Sequence, residues 1–397
     1  MMSVWSSLVG QDAAVAKLGE AAASARAIVA SRGGVRTSDD ARCMSHAWLI
    51  TGPPGSGRSV AARAFSAALQ CTGETVGCGQ CAGCRTTMGR TNADVVFAAT
   101  ETSIISVETA RSLVLQAQSS PSQGLWRVIV VEDADRLGEP GANALLKAIE
   151  EPPEHTVWLL CAPSPEDMIA TIRSRCRHLG LRIPTASAVA DLLVREGVAT
   201  PDVALEAARA AQSHIGLARA LARDPQMRER RRAIITAPAS VRSVAEAVMA
   251  ADRLLETAKA QADAQVSERN AREKAELLRQ LGMDEGENVT RASRTMIRQL
   301  EEDQKRRSKR ALTDAIDRAL IDLLAIYRDV LMVQVGGDGE LINTDLSDLV
   351  REIAQDSTPR QTLARVDHIE RARKRLVANG NPLLVLEDMA ISLRPQA

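Results

Sequence analysis

Aromatic side chains make up only 2% of the 397 residues: four tryptophans, two phenylalanines and one tyrosine. So sparse a set argues against a platform that stacks successive bases of a single strand. Charge of either sign is not in excess. Lysine plus arginine number 50 and aspartate plus glutamate 50, a formal net charge of zero, whereas a chain that grips DNA unaided usually carries a basic surplus. Local basic patches remain compatible with that balance. No run approaches the roughly 18 apolar residues of a membrane helix. The opening MMSVWSSLVGQDAAVAKLGE lacks the basic start and apolar core of a secretory leader. The expectation is a cytoplasmic protein that does not engage a membrane.

What is present is enough apolar residue, 45%, to bury the cores of about two or three domains. Residues 1–180 alternate short apolar runs with amphipathic stretches. AWLI (47–50), DVVFA (94–98), RVIVVED (127–133) and TVWLLCA (156–162) read as buried strands, and their alternation with helices predicts a parallel sheet covered by helices. From 181 to 245 the chain reads as short helices, ASAVADLLVREG, TPDVALEAARAAQ and GLARALARD. Beyond 246 the pattern is helical throughout. Ile316, Leu320, Leu323, Leu324, Tyr327 and Leu331 recur at three- and four-residue steps as one apolar stripe. Between these helices, 264–310 is densely charged, with a break expected at GMDEGEN (282–288). It reads as a solvated helical arm or partly disordered insertion. The sharper alternative, that Lys305, Arg306, Arg307, Lys309 and Arg310 touch DNA, is diluted by Glu301, Glu302 and Asp303.

The run at 47–50 leads into TGPPGSGRS, residues 51–59. The spacing follows G-x-x-x-x-G-K-[ST], a loop whose backbone N–H groups converge on phosphate at a helix N-terminus. Gly52, Gly57 and Ser59 are in place with Gly55 between them, but Arg58 holds the lysine position. Arginine keeps the charge and brings a bulkier planar fork; Ser59 retains a hydroxyl that can meet Mg2+. A tight turn without ligand is the plainer reading of the same residues. The second test is the acidic pair after RVIVV. Hydrolysis needs one carboxylate on Mg2+ and a neighbour that orients water. The usual order is Asp then Glu; here it is Glu132 then Asp133. Each reach is changed by a methylene, and shifts of that size at a reacting centre cost orders of magnitude in rate. The expectation is a nucleotide fold by descent, with ATP or ADP binding left open and efficient hydrolysis not expected.

Cys71, Cys78, Cys81 and Cys84 are spaced C-x6-C-x2-C-x2-C, with intervening glycines that permit tight turns. Four thiolates so close can close a tetrahedral Zn2+ site, and a four-sulfur site has no open position, so its role is structural. A disulfide pair is disfavoured in the cytoplasm. Cys43, Cys161 and Cys176 read as ordinary thiols. In TIRSRCRHL, Ser174, Arg175 and Cys176 follow an apolar strand and a short helix-like stretch. Arg175 is readable as a surface ion-pair residue or as an arginine presented to a neighbouring subunit's nucleotide, where it would stabilise charge on the transferred phosphate.

VWSSLVGQDAAVAKL, GPPGSGRS, the four-cysteine module, NALLKAIEEPPEHTVWLLCAPSPEDMIATIRSRCR and the helical tail together resemble the clamp-loader subunits of bacterial DNA polymerase III. The resemblance is strong to about residue 235 and weaker beyond. It implies an α/β AAA+ P-loop module with a zinc-binding insertion over 1–180, a helical lid over 181–245 and a helical collar over 246–397. It further implies partnership with other clamp-loader subunits, motor and delta-type, with the sliding clamp, and with primed DNA as part of the complex. Motor subunits of the family carry lysine in the loop, Asp-Glu in the acidic motif and a threonine-type sensor where this chain has Ala162-Pro163. Arg219, in IGLARAL, matches the second sensor arginine, and Ser174-Arg175-Cys176 matches the family's finger motif. The implied role is a subunit that serves its neighbour's ATP site better than its own. The alternatives are an active AAA+ motor that tolerates arginine in its loop, and a zinc-dependent DNA-binding module outside replication. The latter leaves 174–176 and the helical tail without a role. The charged 264–310 segment is not a general feature of the family.

Overall fold

Strand by strand, the apolar runs pair as expected. The structure, a computed structural model, describes residues 3–31, 43–98, 104–281 and 291–394. The chain packs as two units, Met1–Ala222 and Arg223–Ala397. In the first, helix α1 (Asp12–Ala30) precedes β1 (Ala47–Thr51), α2 (Arg58–Leu69), α3 (Ala82–Met88), β2 (Val95–Ala98), α4 (Val107–Ala117) and β3 (Arg127–Val131). Then follow α5 (Glu139–Glu150), β4 (Thr156–Ala162), α6 (Ala170–Arg173), β5 (Arg177–Gly180), α7 (Ala186–Arg195), α8 (Pro201–Ala210) and α9 (Ile215–Arg223).

The five strands form one parallel sheet in the order β2-β3-β4-β1-β5. Parallel sheets need both faces covered, and the alternation of side chains supplies two apolar faces. Trp48, Ile50, Val128, Val130, Leu159 and Cys161 share a core with α1 and α2, where Trp48 meets Phe65 edge-on at 5.3 Å. Leu49, Ile129, Val131, Trp158 and Leu160 share the opposite core with α4, α5 and α6. Each such aliphatic side chain contributes about 1.5–3 kcal/mol when fully buried. This is the parallel sheet covered by helices that the alternation of runs predicted. One strand was not foreseen. β5 has the sequence RHLG and buries only Leu179, because it closes the sheet edge beside β1 and carries no apolar run.

The second unit is helical: α10 (Pro225–Ser240), α11 (Val244–Gln280), α12 (Arg291–Gln334), α13 (Ser347–Gln355), α14 (Pro359–Val377) and α15 (Pro382–Ser392). Local chemistry starts several of these. Ser243 and Glu246 make a capping box at α11, Thr358 and Gln361 another at α14, and Pro225, Pro359 and Pro382 open their helices. Of the expected stripe on α12, Ile316, Leu320, Leu323 and Tyr327 are buried, joined by Ile326 and Val330. A buried polar clasp crosses this core. Arg231 donates to Asp322 at 3.0 Å and to Asn343 at 2.6 Å, while Asp329 accepts from both the backbone and side-chain nitrogens of Asn343.

The charged 264–310 segment forms the distal parts of α11 and α12, which pair through Ala262, Val266 and Ala311 near their base. Farther out, Gln304 donates to the Asn270 carbonyl at 2.9 Å, and Arg307 donates to Asn270 and Glu273, each at 2.8 Å. The break expected at 282–288 lies outside the described residues. Much of the basic run is engaged within the chain: Arg306 pairs with Asp303, Arg307 with Glu273, Arg310 with Asp314, and Lys309 donates to Asn379.

Candidate nucleotide and metal sites

β1 ends at Thr51 and the chain turns through Gly52–Gly57 into α2, with the Gly57 backbone at φ +89° capping the helix. That left-handed value is one glycine adopts at no steric cost. At Gly52 the need is space: a Cβ there would lie 2.4 Å from Ser56 Oγ and 2.9 Å from the Leu181 carbonyl. The loop is held from both sides. Gly52 N–H donates to the Pro163 carbonyl at 3.2 Å. Gln11 Nε2 donates to the carbonyls of Ser56 and Arg182, and Gln11 Oε1 accepts from the Arg182 N–H. Gly55 lies against the backbone of His214, just ahead of α9. Arg58 and Ser59 open α2, and Arg58 Nη1 is buried without a hydrogen-bond partner among the described residues.

β4 lies between β1 and β3 in the sheet, so the loop that follows β1 and the acidic motif that follows β3 leave it on either side of β4. On β4, burial pushes the Cys161 thiol up to about 12, with Arg58 drawing it down and Glu132 and Asp133 pushing it up. Glu132, immediately after β3, is ion-paired with Arg90 at 2.6 Å. Asp133 caps a short 3-10 turn, Ala134–Arg136. Arg219 on α9 turns to Glu196, with bonds of 2.9 and 2.8 Å to its two carboxylate oxygens, a bidentate pair within the helical segment. Arg175 stands apart from this cluster. At the end of α6 it donates through Nε to Glu150 on α5 and through Nη1 to the Thr171 carbonyl at 2.8 Å and Ser174 Oγ at 3.3 Å.

The four cysteines come together as the spacing predicted. Their sulfur atoms all lie within 4.8 Å of one another, and Cys71 and Cys81 are 3.9 Å apart. A tetrahedron with metal–sulfur bonds of about 2.3 Å has sulfur edges of about 3.8 Å, so the set can hold a metal ion. N–H groups of Gln80 and Cys81 point at Cys78 Sγ, and that of Cys84 at Cys81 Sγ, each at 3.4 Å. Such donors favour thiolate over thiol. Against burial, the Cys84 N–H and the hydroxyl-bearing Thr72 bring Cys81 down to about 6, while burial pushes the Cys84 thiol up. The module is part of the core. Cys71 and Cys84 are buried beside α2, Val4 N–H donates to the Gly77 carbonyl at 3.0 Å, and Arg26 of α1 donates to the carbonyls of Cys71 and Glu74.

Gln11 and Arg90 were not singled out in the sequence. The residues they meet lie far along the chain, and their only local signals are weak: Gln11 falls within the VWSSLVGQDAAVAKL stretch, and Arg90 closes the cysteine module.

Residues 36–185 match the family described as DNA polymerase III, delta subunit. The chain is 34% identical over 180 residues to DNA polymerase III subunit delta' of Escherichia coli, covering 44% of this chain and 54% of that one. It is 35% identical over 170 residues to DNA polymerase III subunit gamma/tau of Mycobacterium tuberculosis, covering 41% of this chain and 29% of that one. A solved structure of a DNA polymerase III gamma subunit-related protein from Thermotoga maritima aligns with 94% of this chain and 98% of that one, at 16% identity and a TM-score of 0.41. The chain spans about half the length, or less, of the curated relatives it matches.

Proposed function

We propose, from the match of residues 36–185 to the DNA polymerase III delta subunit family and the similarity to delta' and gamma/tau subunits, that the chain is a delta-prime-like subunit of the clamp loader. In this reading it joins motor and delta-type subunits to open a sliding clamp and set it on primed DNA. It hydrolyses little ATP itself and donates Arg175 to a neighbour's nucleotide. The functional divisions are those of the sequence, a nucleotide-binding-like domain to 180, a lid to 245 and a collar beyond, with a structural Zn2+ on the four cysteines.

The observation that carries the reading is the setting of Arg175. Its side chain is 38% exposed and that of its acidic partner Glu150 is 41% exposed. Ion pairs so exposed contribute about 0–1 kcal/mol to a fold, so little in the chain's own stability requires an arginine there. The chain's own loop is the poorer candidate for hydrolysis, with Arg58 for lysine, Glu132-Asp133 in reversed order and Ala162-Pro163 at the first sensor position. A motor reading would need all three departures to be tolerated.

The test is reconstitution. The chain is expected to co-purify with motor subunits, delta-type subunit and clamp, and failure to enter that complex would overturn the assembly reading. Alone, it is expected to turn over ATP negligibly, and Arg58→Lys is expected to restore little, since the acidic pair and sensor are unchanged. Robust ATPase of the isolated wild-type chain, lost in Arg58→Ala, would favour the motor reading instead.

A further inference from the structure

We propose that Arg90 takes the place of a divalent cation at the acidic motif: a guanidinium delivered by the cysteine module's own helix occupies the carboxylate that a hydrolysing relative would offer to Mg2+. The P-loop fold implies Mg2+ at this point, and the residues present do not fit it. Mg2+ demands near-octahedral oxygen ligands and is usually held by one or two carboxylates with substrate phosphates. Here Glu132 Oε1 already accepts from Arg90 Nη2 at 2.6 Å, with the Glu132 side chain only 15% exposed.

Arg90 is positioned rather than adrift. It follows the C-terminus of α3, the helix that carries Cys84, and its N–H donates to the Thr87 carbonyl at 3.1 Å. Thr91 N–H returns to the Thr86 carbonyl at 2.8 Å, and the Asn92 side chain ties the hydroxyls of Thr86 and Thr87. The Arg90 backbone sits at φ +58°, where a non-glycine residue is uncommon. Its guanidinium carbon lies 4.9 Å from the centre of the Phe97 ring on β2, a cation–π contact that fixes its direction. A second guanidinium, Arg63 of α2, feels both Arg90 and Glu132 and has a buried Nε without a hydrogen-bond partner among the described residues. Adding a divalent cation at Glu132 would set it against the positive charges of Arg63 and Arg90. Arg90 would be a positioning residue of the nucleotide site, and it makes the cysteine module an electrostatic part of that site as well as a structural one.

This inference rests on the descent of the loop and acidic pair from a nucleotide site and does not depend on assembly; a metal titration of the isolated chain and the reconstitution above fail independently. The probe is Mn2+, titrated into the full-length, zinc-loaded chain and followed by the electron paramagnetic resonance signal of the free ion. Wild type is expected to titrate like Glu132→Gln. Arg90→Ala is expected to bind Mn2+ roughly tenfold more tightly or better, as removal of one neighbouring charge allows, and Arg90→Ala/Glu132→Gln to lose that gain. Arg90→Lys keeps a cation and is expected to stay closed to Mn2+. Arg90→Gly removes the guanidinium while suiting the left-handed backbone, which guards against a variant that fails to fold. Glu132-dependent Mn2+ binding in wild type would overturn the proposal. So would folded Arg90→Gly or Arg90→Ala that binds no more Mn2+ than wild type.

Discussion

A complex reconstituted with Arg175→Ala is expected to assemble normally, to lose a fraction of its DNA- and clamp-stimulated ATPase, and to lose more of its clamp loading. The asymmetry follows from where the residue sits. Arg175 touches Glu150, the Thr171 carbonyl and Ser174 at the surface of its own chain, so its removal leaves no cavity and no buried unpaired charge. An arginine finger supplied in trans is worth about 10^3-fold or more at a single site. Only the neighbouring site in a ring would lack it, so total turnover falls partially, whereas a step that needs the sites in concert falls further. Glu150→Gln is the matching control: it breaks the same ion pair and keeps the arginine, and both assays are expected to stay near wild type. Unchanged ATPase and loading with Arg175→Ala, assembly verified, would reduce the residue to its ion pair with Glu150.

The second large effect is expected at the cysteines. Freshly purified reduced protein should contain one zinc per chain, and Cys78→Ser should lose it and destabilise the first unit. Structural zinc modules draw about 10–16 kcal/mol of apparent free energy from the metal. Here the ligands are wired into the core: Cys71 and Cys84 are buried against α2, and α1 reaches the module through Arg26. A net loss of even about 3 kcal/mol would lower the thermal midpoint by roughly 6–12 °C for a unit of this size. Chelation of the wild-type protein should do the same, reversibly on restoring Zn2+ under reducing conditions. Metal analysis without zinc, or a Cys78→Ser chain that melts with the wild type, would refute the assignment.

How legible these features were depends on how local they are. The cysteine cluster was readable because its four thiols fall between residues 71 and 84, where spacing alone restricts geometry. β1, β3 and β4 were readable because each is a short apolar run buried on both faces of the sheet, and β2, an edge strand that buries only Val95, because its run is apolar throughout. β5 escaped because an edge strand needs only one buried side chain, Leu179, and hydrogen bonds from one neighbour. The turn at Gly52–Gly57 was readable by its glycines, but the Gln11 side chain that staples it to Arg182 bridges 171 positions and leaves no periodicity to find. The Arg90–Glu132 pair spans 42 positions and depends on a left-handed residue that no sequence pattern announces. The Arg175–Glu150 ion pair was one of two readings open for that residue; its surface setting is what the structure adds, and its action on a neighbour is for the reconstitution to decide.

The two long helices of the second unit have a mechanical consequence. α11 runs for 37 residues and α12 for 44, and neither contains a glycine or proline, the residues at which helices most often kink. At about 1.5 Å per residue α12 is about 66 Å long, of which the charged stretch 291–310 accounts for about 30 Å. The rest of α12 is bedded in the bundle, with Asp322 and Asp329 clasped to Arg231 and Asn343. A stiff rod fixed at one end acts as a lever. A tilt of about 10° at Asp322, about 46 Å from the start of the helix, would swing the charged end by about 8 Å, and a push on that end would return to the bundle as torque on a buried ion pair.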